Sequence, residues 1–392
     1  MRAPSFLLSL LASLAATIVH QSLASPTSPW FLSRHASVLD QDNRDPVDET
    51  PFFLRAAIAA AANDNGAAET SGRTVILLRY EISVKNPVYV GDISLGTPAQ
   101  TLTMTFLSMA TSVLVPDFRA SPTHHYYNHT KSSTYIANGT KFDMPFFLRG
   151  YVSQDVMRIG DIELANQPFI EVTVFNNFPA YPSEKYDGFF GLGFDAKTGI
   201  KLPLHALVDS GVLDEPVFAF NLAKNSGGSE IMFGGANKDH YSGPITYASV
   251  IRINSWTIKL DDVLVTGKRM TKHRRAIIEP GTQLIYAPGD EVDALASLVG
   301  ATRVGLFYEI SCAAPGPEIV FAIGGTHFTL TKDEYTLQPE DGSDKCRWAI
   351  NSMSFTGNTW WLGQVFIEKY YAVFNYGDGT AGSRRIGFAL RK

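Results

Sequence analysis

Two stretches of sequence share one pattern and decide the fold of this chain. Residues 105–116 read Thr-Phe-Leu-Ser-Met-Ala-Thr-Ser-Val-Leu-Val-Pro, and residues 276–284 read Ala-Ile-Ile-Glu-Pro-Gly-Thr-Gln-Leu. In each stretch a strand-like run enters a tight turn, and a second apolar run follows it. Leu107 and Glu279, at the two turns, lie 172 positions apart (279 minus 107). The repeat predicts a chain of two related halves, each with its own strand-turn-strand unit.

From Tyr80 onwards the sequence predicts an all-β core. Short runs of β-branched and aromatic residues, such as Thr101–Phe106 and Thr257–Leu260, are bounded by turn-forming residues. Two segments have helical features instead: Pro203–Ser210 begins with proline and is followed by glycine, and Asp290–Val299 has an acidic first turn. We therefore expect an all-β fold with a few short helices.

Composition and the start of the chain restrict the class of protein. A length of 392 residues suits two domains, and a hydrophobic content of 45% with 18% charged residues is typical of globular proteins. The net charge of −5 argues against nucleic-acid binding, which requires a basic surface. Residues 1–24 have the charged start, short apolar run and small-residue end of a secretory signal peptide. That run is too short for a membrane span and no later stretch is apolar enough, so we expect a secreted or endolysosomal protein.

Three further motifs give the chain a family resemblance: Tyr89–Pro98, Tyr186–Gly193 and Trp361–Phe366. Together with the two turns they resemble the pepsin and cathepsin D family of aspartic proteases. The resemblance implies an all-β, bilobal pepsin-like fold, in which the triplets Phe189-Phe190-Gly191 and Trp361-Leu362-Gly363 each thread the loop that carries a turn. It divides the chain into a signal peptide (residues 1–24), a pro-segment-like linker (25–79), an N-terminal lobe (80–247) and a C-terminal lobe (248–392).

The chemistry of this family depends on an Asp-Thr-Gly in each turn. Two neighbouring carboxylates share one proton, so that one acts as a base on water while the other donates to the peptide carbonyl. Here the turns read Leu107-Ser108-Met109 and Glu279-Pro280-Gly281. Leu107 neither gives nor accepts a proton, and the carboxylate of Glu279 is displaced by one methylene, about 1.5 Å. The resemblance places Leu107 and Glu279 at the catalytic positions and predicts that this pair does not function.

The neighbours of these two positions also depart from the family pattern. Met109 replaces a glycine that permits close backbone approach, and Pro280 replaces a threonine and removes an N–H. Ser108 can still brace the two turns from its own side. Gly281 and Thr282 complete the second turn at the cleft.

The hairpin expected to cover the cleft is altered as well. Relatives have Tyr-Gly-Thr-Gly there, whereas residues 141–150 lack the mobile glycines, and Phe146 takes the place of the tyrosine. Alternatively, Phe146, Phe147 and Leu148 are ordinary strand residues that pack in the core.

Glu279 is expected to titrate abnormally. Ile277, Ile278 and Pro280 flank it, and the second carboxylate is missing. Desolvation therefore predicts a pKa above the reference of about 4.3.

The cysteines and sequons agree with a secretory route. Cys312 and Cys346 are the only cysteines, and an even pair in a secreted chain indicates a disulfide, which the resemblance supports. Asn128 and Asn138 begin N-glycosylation sequons. The nine histidines have no zinc-type spacing, so neither a metal nor a cofactor is predicted.

Three functions are compatible with these features. The first is a secreted, catalytically inactive homologue, a monomer whose cleft binds a peptide or protein. The second is a working aspartic endopeptidase in which Glu279 acts with a rearranged partner. The third is a surface-recognition protein with a vestigial cleft that uses the basic hairpin 268–275. The first is favoured, because losing one of two acid–base groups ordinarily costs about 10²–10⁴-fold in rate.

Overall fold

The computed structural model describes most of the chain after residue 71. The described ranges are 72–83, 86–144, 147–176, 178–195, 200–224, 227–271, 273–339, 342–353, 357–380 and 382–392. The predicted signal peptide, residues 25–71 of the predicted linker, and Phe146 lie outside them. Strands dominate the described residues, which confirms the predicted all-β, bilobal pepsin-like fold.

The elements follow one another in two halves. The first half holds, in order, β1 (Thr74–Ser83), β2 (Asn86–Leu95), β3 (Gln100–Leu107), β4 (Val113–Pro116), β5 (Ile136–Met144), β6 (Leu148–Ile159), β7 (Ile162–Phe175), β8 (Gly188–Gly191), α1 (Pro203–Asp209), β9 (Val217–Asn221), β10 (Ser229–Phe233) and β11 (Tyr241–Ser249). The second half holds β12 (Thr257–Leu260), β13 (Asp262–Val265), β14 (Lys268–Arg269), β15 (Arg274–Ile278), β16 (Ile285–Ala287), α2 (Gly289–Val299), β17 (Thr302–Val304), β18 (Phe307–Ser311), β19 (Ile319–Ile323), β20 (Thr326–Leu330), β21 (Thr336–Leu337), β22 (Lys345–Trp348), β23 (Ile350–Ser352), β24 (Thr359–Leu362), α3 (Gln364–Ile367), β25 (Tyr370–Asn375) and β26 (Arg385–Arg391).

The two predicted helices are present. The predicted Pro203–Ser210 corresponds to α1, which begins at Pro203, and the predicted Asp290–Val299 corresponds to α2. Gly300 ends α2 in the left-handed conformation, with φ of 80°, which glycine adopts without a Cβ penalty. Within the described ranges, no helix combines the length and apolar character that crossing a bilayer requires.

One large sheet joins the two ends of the chain. It contains 13 of the described strands in the order β11-β26-β25-β9-β10-β1-β2-β3-β8-β4-β7-β6-β5. The strand β9 pairs with β25, so the first half is hydrogen-bonded directly to the C-terminal strands. The alternation of side chains along β9 sends Phe218 and Phe220 into the main core and Val217 and Ala219 to a smaller cluster on the opposite face.

The boundaries of the lobes remain predictions, but two strands bear on them. The strand β1 begins at Thr74, before the predicted lobe start at residue 80, and its first five residues pair with β10. The predicted division after residue 247 falls inside β11, which pairs with β26.

Each half builds its turn in the same way. In the first half, β3 runs parallel to β8, with Leu107 opposite Gly191, and β8 also pairs with β4 in the antiparallel sense. In the second half, β15 runs parallel to β24, with Ile278 opposite Leu362, and β24 also pairs with β16. The triplets at residues 189–191 and 361–363 therefore thread the two loops, as predicted, and the two turns face each other.

Candidate functional site

Leu107 lies at the first turn as a buried apolar residue. Its side chain is 2% exposed and belongs to a cluster with neighbours on β4 and on the hairpin formed by β5 and β6. We call this the hairpin cluster; it includes Leu107, Ala110, Leu114, Phe142, Met144 and Leu148. The side chain also reaches the second turn, since a Cβ built on Gly281 would lie 2.0 Å from Leu107 Cδ2. The centre of the first turn is thus filled by hydrocarbon.

Glu279 lies at the second turn and reaches across to the first. Its side chain is completely buried. Oε1 accepts hydrogen bonds from Ser108 N at 3.2 Å and from Gly281 N at 2.9 Å. Oε2 accepts from Met109 N at 2.9 Å and lies 3.1 Å from Ser108 Oγ. One carboxyl group therefore bonds the main chains of both turns.

These contacts leave no vacant hydrogen-bonding position on Glu279. A carboxylate offers about four lone-pair positions on its two oxygens. Four polar atoms of the protein occupy them, from residues 108, 109 and 281. A water molecule poised for attack on a peptide would have to displace one of these neighbours.

Burial shifts the titration of Glu279. Desolvation raises its pKa to about 7, and the hydrogen bonds from Gly281, Met109 and Ser108 oppose that rise. The direction and its cause agree with the expectation from sequence. At acidic pH the group is therefore a neutral acid.

Ser108 and Thr282 complete the junction of the turns. Ser108 Oγ donates to Ile278 O at 2.6 Å, so the first turn is braced on the strand that leads into the second. Thr282 is buried, and its main-chain N–H donates to Glu279 O at 3.3 Å. Met109 is only partly buried and packs on the hairpin cluster from the first turn.

Two residues at this junction were not singled out from the sequence. Gln364 Nε2 donates to Pro280 O at 2.9 Å and so holds the second turn from α3. Glu368, just past α3, accepts a hydrogen bond from Tyr89 OH of β2 at 2.9 Å, and burial raises its pKa. Both follow the Trp361-Leu362-Gly363 triplet, which is the signal that could have drawn attention to them.

The hairpin over the cleft is formed by β5 and β6, which pair in the antiparallel sense. Phe146 lies outside the described residues. Partly buried apolar side chains also pack on the hairpin cluster: Met109, Phe147, Phe175, Phe178 and Ile200.

Away from the turns, the predicted disulfide is confirmed by the bond between Cys312 and Cys346. Both sequons lie at the surface, where Asn128 Oδ1 and Asn138 Oδ1 each accept from the threonine two residues later. In the described ranges no group of three or more His, Cys, Asp or Glu residues is arranged to hold a metal ion.

The basic hairpin is partly neutralised. Arg269 is paired with the buried Asp262, and Arg274 is paired with Glu291, which is also buried. Two of its cations are thus bound to carboxylates of the protein's own core, which reduces the charge available to an outside partner.

Comparison with known proteins gives a consistent result. Residues 88–390 match the eukaryotic aspartyl protease family. Vacuolar protease A of Neurospora crassa is 33% identical over 312 residues, which cover 76% of this chain and 78% of that protein. Cathepsin D of Dictyostelium discoideum is 30% identical over 346 residues, covering 82% and 87%. Renin of Canis lupus familiaris is 32% identical over 326 residues, covering 78% and 79%. The chain belongs to the eukaryotic aspartyl protease family.

Proposed function

We propose that this chain is a catalytically inactive member of its family, a secreted or lumenal protein whose cleft binds a peptide or protein segment without cleaving it. The observation that carries the proposal is the state of the two central side chains. Leu107 supplies hydrocarbon where an acid–base group is needed, and Glu279 is buried with all its hydrogen-bonding positions occupied. Peptide hydrolysis by this family's chemistry requires two carboxyls and a bound water.

The surroundings of the turns favour retention of a binding role. Five partly buried apolar side chains pack on the hairpin cluster: Met109 from the first turn, and Phe147, Phe175, Phe178 and Ile200. Such a surface suits the apolar side chains of an extended peptide, with the main chain supplying hydrogen bonds at the strand edges. A ligand with apolar side chains at alternate positions is the expected class.

A secretory route is the second part of this proposal. Residues 1–24 supply the signal peptide, and the half-buried Asn128 and the exposed Asn138 supply glycosylation sites. Several relatives carry the name vacuolar protease A, and an acidic lumen agrees with the raised pKa of Glu279. The protein is expected to be a monomer after removal of its leader.

The decisive experiment is digestion of a peptide library by the purified protein between about pH 3 and pH 7, where an acid pair would operate. Wild type and Glu279→Gln are expected to give the same background of products. Cleavage by wild type that disappears in Glu279→Gln would establish the alternative of an endopeptidase that uses Glu279.

Binding is tested with the same library in an affinity selection. Enriched apolar peptides are expected to lose affinity for Met109→Lys, which puts a charge on the cleft surface. They should keep it for Lys268→Glu, a control on the basic hairpin. The reverse pattern would favour the alternative in which the basic hairpin is the recognition surface.

A further inference from the structure

The hydroxyl of Ser108 lies between two oxygen atoms of the other turn. Its Oγ is 2.6 Å from Ile278 O and 3.1 Å from Glu279 Oε2. A serine hydroxyl has a single proton, whereas a main-chain carbonyl has none to give. Two separate, full hydrogen bonds at this oxygen therefore require a second proton, which Glu279 in its acid form supplies.

The distances show where the serine proton lies. The contact with Ile278 O is the shorter and falls in the range of a good O–H···O bond, so Ser108 donates to the carbonyl. Pro280, opposite Ser108 in the second turn, has no main-chain N–H to offer the hydroxyl. The lone pairs of Ser108 Oγ therefore face the Glu279 carboxyl.

We propose that Glu279, Ser108 and the carbonyl of Ile278 form a hydrogen-bond chain that exists only while Glu279 holds its proton and that links the two turns in addition to the main-chain bonds to the carboxyl. In the acid form Oε2–H donates to Ser108 Oγ, and Oγ–H donates to Ile278 O. Loss of the proton leaves one hydroxyl hydrogen between two acceptors, so one bond across the junction is lost.

Among the described residues, none of the largest influences on the pKa of Glu279 comes from a charged side chain. The main influences on its pKa include burial and the hydrogen bonds from the main-chain N–H groups of Gly281, Met109 and Ser108. Leu107, at the end of β3, and Gln364, at the start of α3, flank the two turns, and neither titrates. A pKa of about 7 keeps the proton in place throughout the acidic range.

The proposal predicts the direction in which the pKa of Glu279 shifts when the Ser108 hydroxyl is removed. The alternative, in which Ser108 donates to the carboxylate, predicts the opposite direction. If Ser108 accepts from the acid form, removing its hydroxyl destabilises that form and lowers the pKa of Glu279. If Ser108 instead donates to the carboxylate, removing the hydroxyl raises the pKa. The two models thus predict opposite shifts from one substitution.

The test is a titration of the full-length protein with ¹³C-carboxyl-labelled glutamate, in which the resonance missing from Glu279→Gln identifies Glu279. Ser108→Ala is expected to lower the pKa by about 0.5–1, the value of one ordinary hydrogen bond. Ser108→Thr keeps the hydroxyl and should restore the wild-type value. Ser108→Cys, whose thiol is a weak acceptor of similar size, should behave like alanine and serves if the alanine variant does not fold.

A second measurement tests whether the chain clasps the turns. The main-chain N–H groups of Leu192 and Glu279 donate to Leu107 O and Leu362 O beside the two turns, and not to the carboxyl. Their hydrogen exchange, corrected for the intrinsic pH dependence, should accelerate between about pH 5 and pH 8 in wild type. The same amides in Glu279→Gln should show no such acceleration, because the amide does not ionise. A pKa that rises or stays unchanged in Ser108→Ala, or equal exchange profiles in the two proteins, would overturn the proposal. Neither measurement involves a ligand or peptide cleavage, so failure here is separate from failure of the proposed function.

Discussion

The two turns at the centre of the molecule have the same main-chain support and opposite side-chain chemistry. Both are carried by a strand that runs parallel to a threading triplet, with Leu107 opposite Gly191 and Ile278 opposite Leu362. At the first turn the central side chain joins a hydrophobic cluster, and at the second it bonds the main chains of both turns. The fold is therefore maintained by backbone pairing and packing, which accommodate a leucine at one turn and a glutamate at the other.

A single buried carboxyl such as that of Glu279 differs chemically from one member of a proton-sharing pair. Its additional methylene lets the carboxyl reach Met109 N in the opposite turn, where it is desolvated and surrounded by donors. This arrangement ties the turns together, and it removes the accessible, partly hydrated oxygen that general acid–base catalysis requires.

The largest effect is expected from making the two turns chemically alike. A variant with Leu107→Asp, Met109→Gly, Glu279→Asp and Pro280→Thr should hydrolyse peptides at least about 10²-fold faster than wild type, because a proton-sharing pair is restored. Leu107→Asp alone should give no activity, because Glu279 remains the longer acid and the turns remain distorted. The fourfold variant and Leu107→Asp are both assayed by peptide hydrolysis at acidic pH, with a pepstatin-type inhibitor as the control. Equal activity of the single and the fourfold variant would show that the turns do not differ in the way described.

The next largest effect is expected from removing the disulfide bond of the C-terminal half. The only two cysteines of the chain form a bridge in the C-terminal half, 34 residues apart. Replacing both by serine should lower the free energy of unfolding by about 3–4 kcal/mol on the chain-entropy model. Urea denaturation measures the loss of unfolding free energy. Amide exchange locates it, and the loss of protection should be concentrated in β18 and β22. Equal loosening of the N-terminal strands would mean that the lobes unfold as one unit.

A somewhat smaller effect comes from the pH dependence of Glu279. Its pKa is 4.5 in the reference state and about 7 in the folded protein. A raised pKa stabilises the protein below pH 4.5, and this stabilisation is lost as the pH rises through 7. Relative to Glu279→Gln, wild type should lose about 3 kcal/mol of unfolding free energy over that interval.

Thermal or urea unfolding of both proteins at several pH values checks the sign. Since glutamine also changes the hydrogen bonding of the turns, the pH slope of the difference is the informative quantity, not its value at one pH. Parallel profiles would indicate that Glu279 ionises normally and that the turn junction is hydrated.

The fold and the central pair could be predicted because they depend on local patterns. The short strand-forming run Thr257–Leu260 predicts β12 over its full length, and the family resemblance implies the two threaded loops. The first six residues of β1, 74–79, fall in the predicted linker, because pairing with β10 is a tertiary contact that composition does not reveal. The reach of Glu279 to Met109 depends on the distance between the turns, which the packing of the lobes sets.

The smallest expected effect is a coupling between the two turns. A Cβ at Gly281 would meet Leu107 Cδ2 at 2.0 Å, so Gly281→Ala should cost about 1–3 kcal/mol through overpacking. In a Leu107→Ala background the methyl group that causes the clash is absent, and part of this cost should disappear. The remainder should persist, because Glu279 Oε1 at 3.1 Å and Phe106 O at 3.3 Å still crowd the added atom.

A double-mutant cycle measured by urea unfolding gives this coupling, expected at about 0.5–2 kcal/mol. Gly289→Ala is the matched control, because its added Cβ would approach nothing closer than Ser352 Cβ at 3.9 Å. It should show no coupling with Leu107→Ala. Additive costs for Gly281→Ala and Leu107→Ala would mean that leucine at the first turn does not press against the second. In that case the hydrocarbon at position 107 would fill the first turn without contributing to the contact between the lobes.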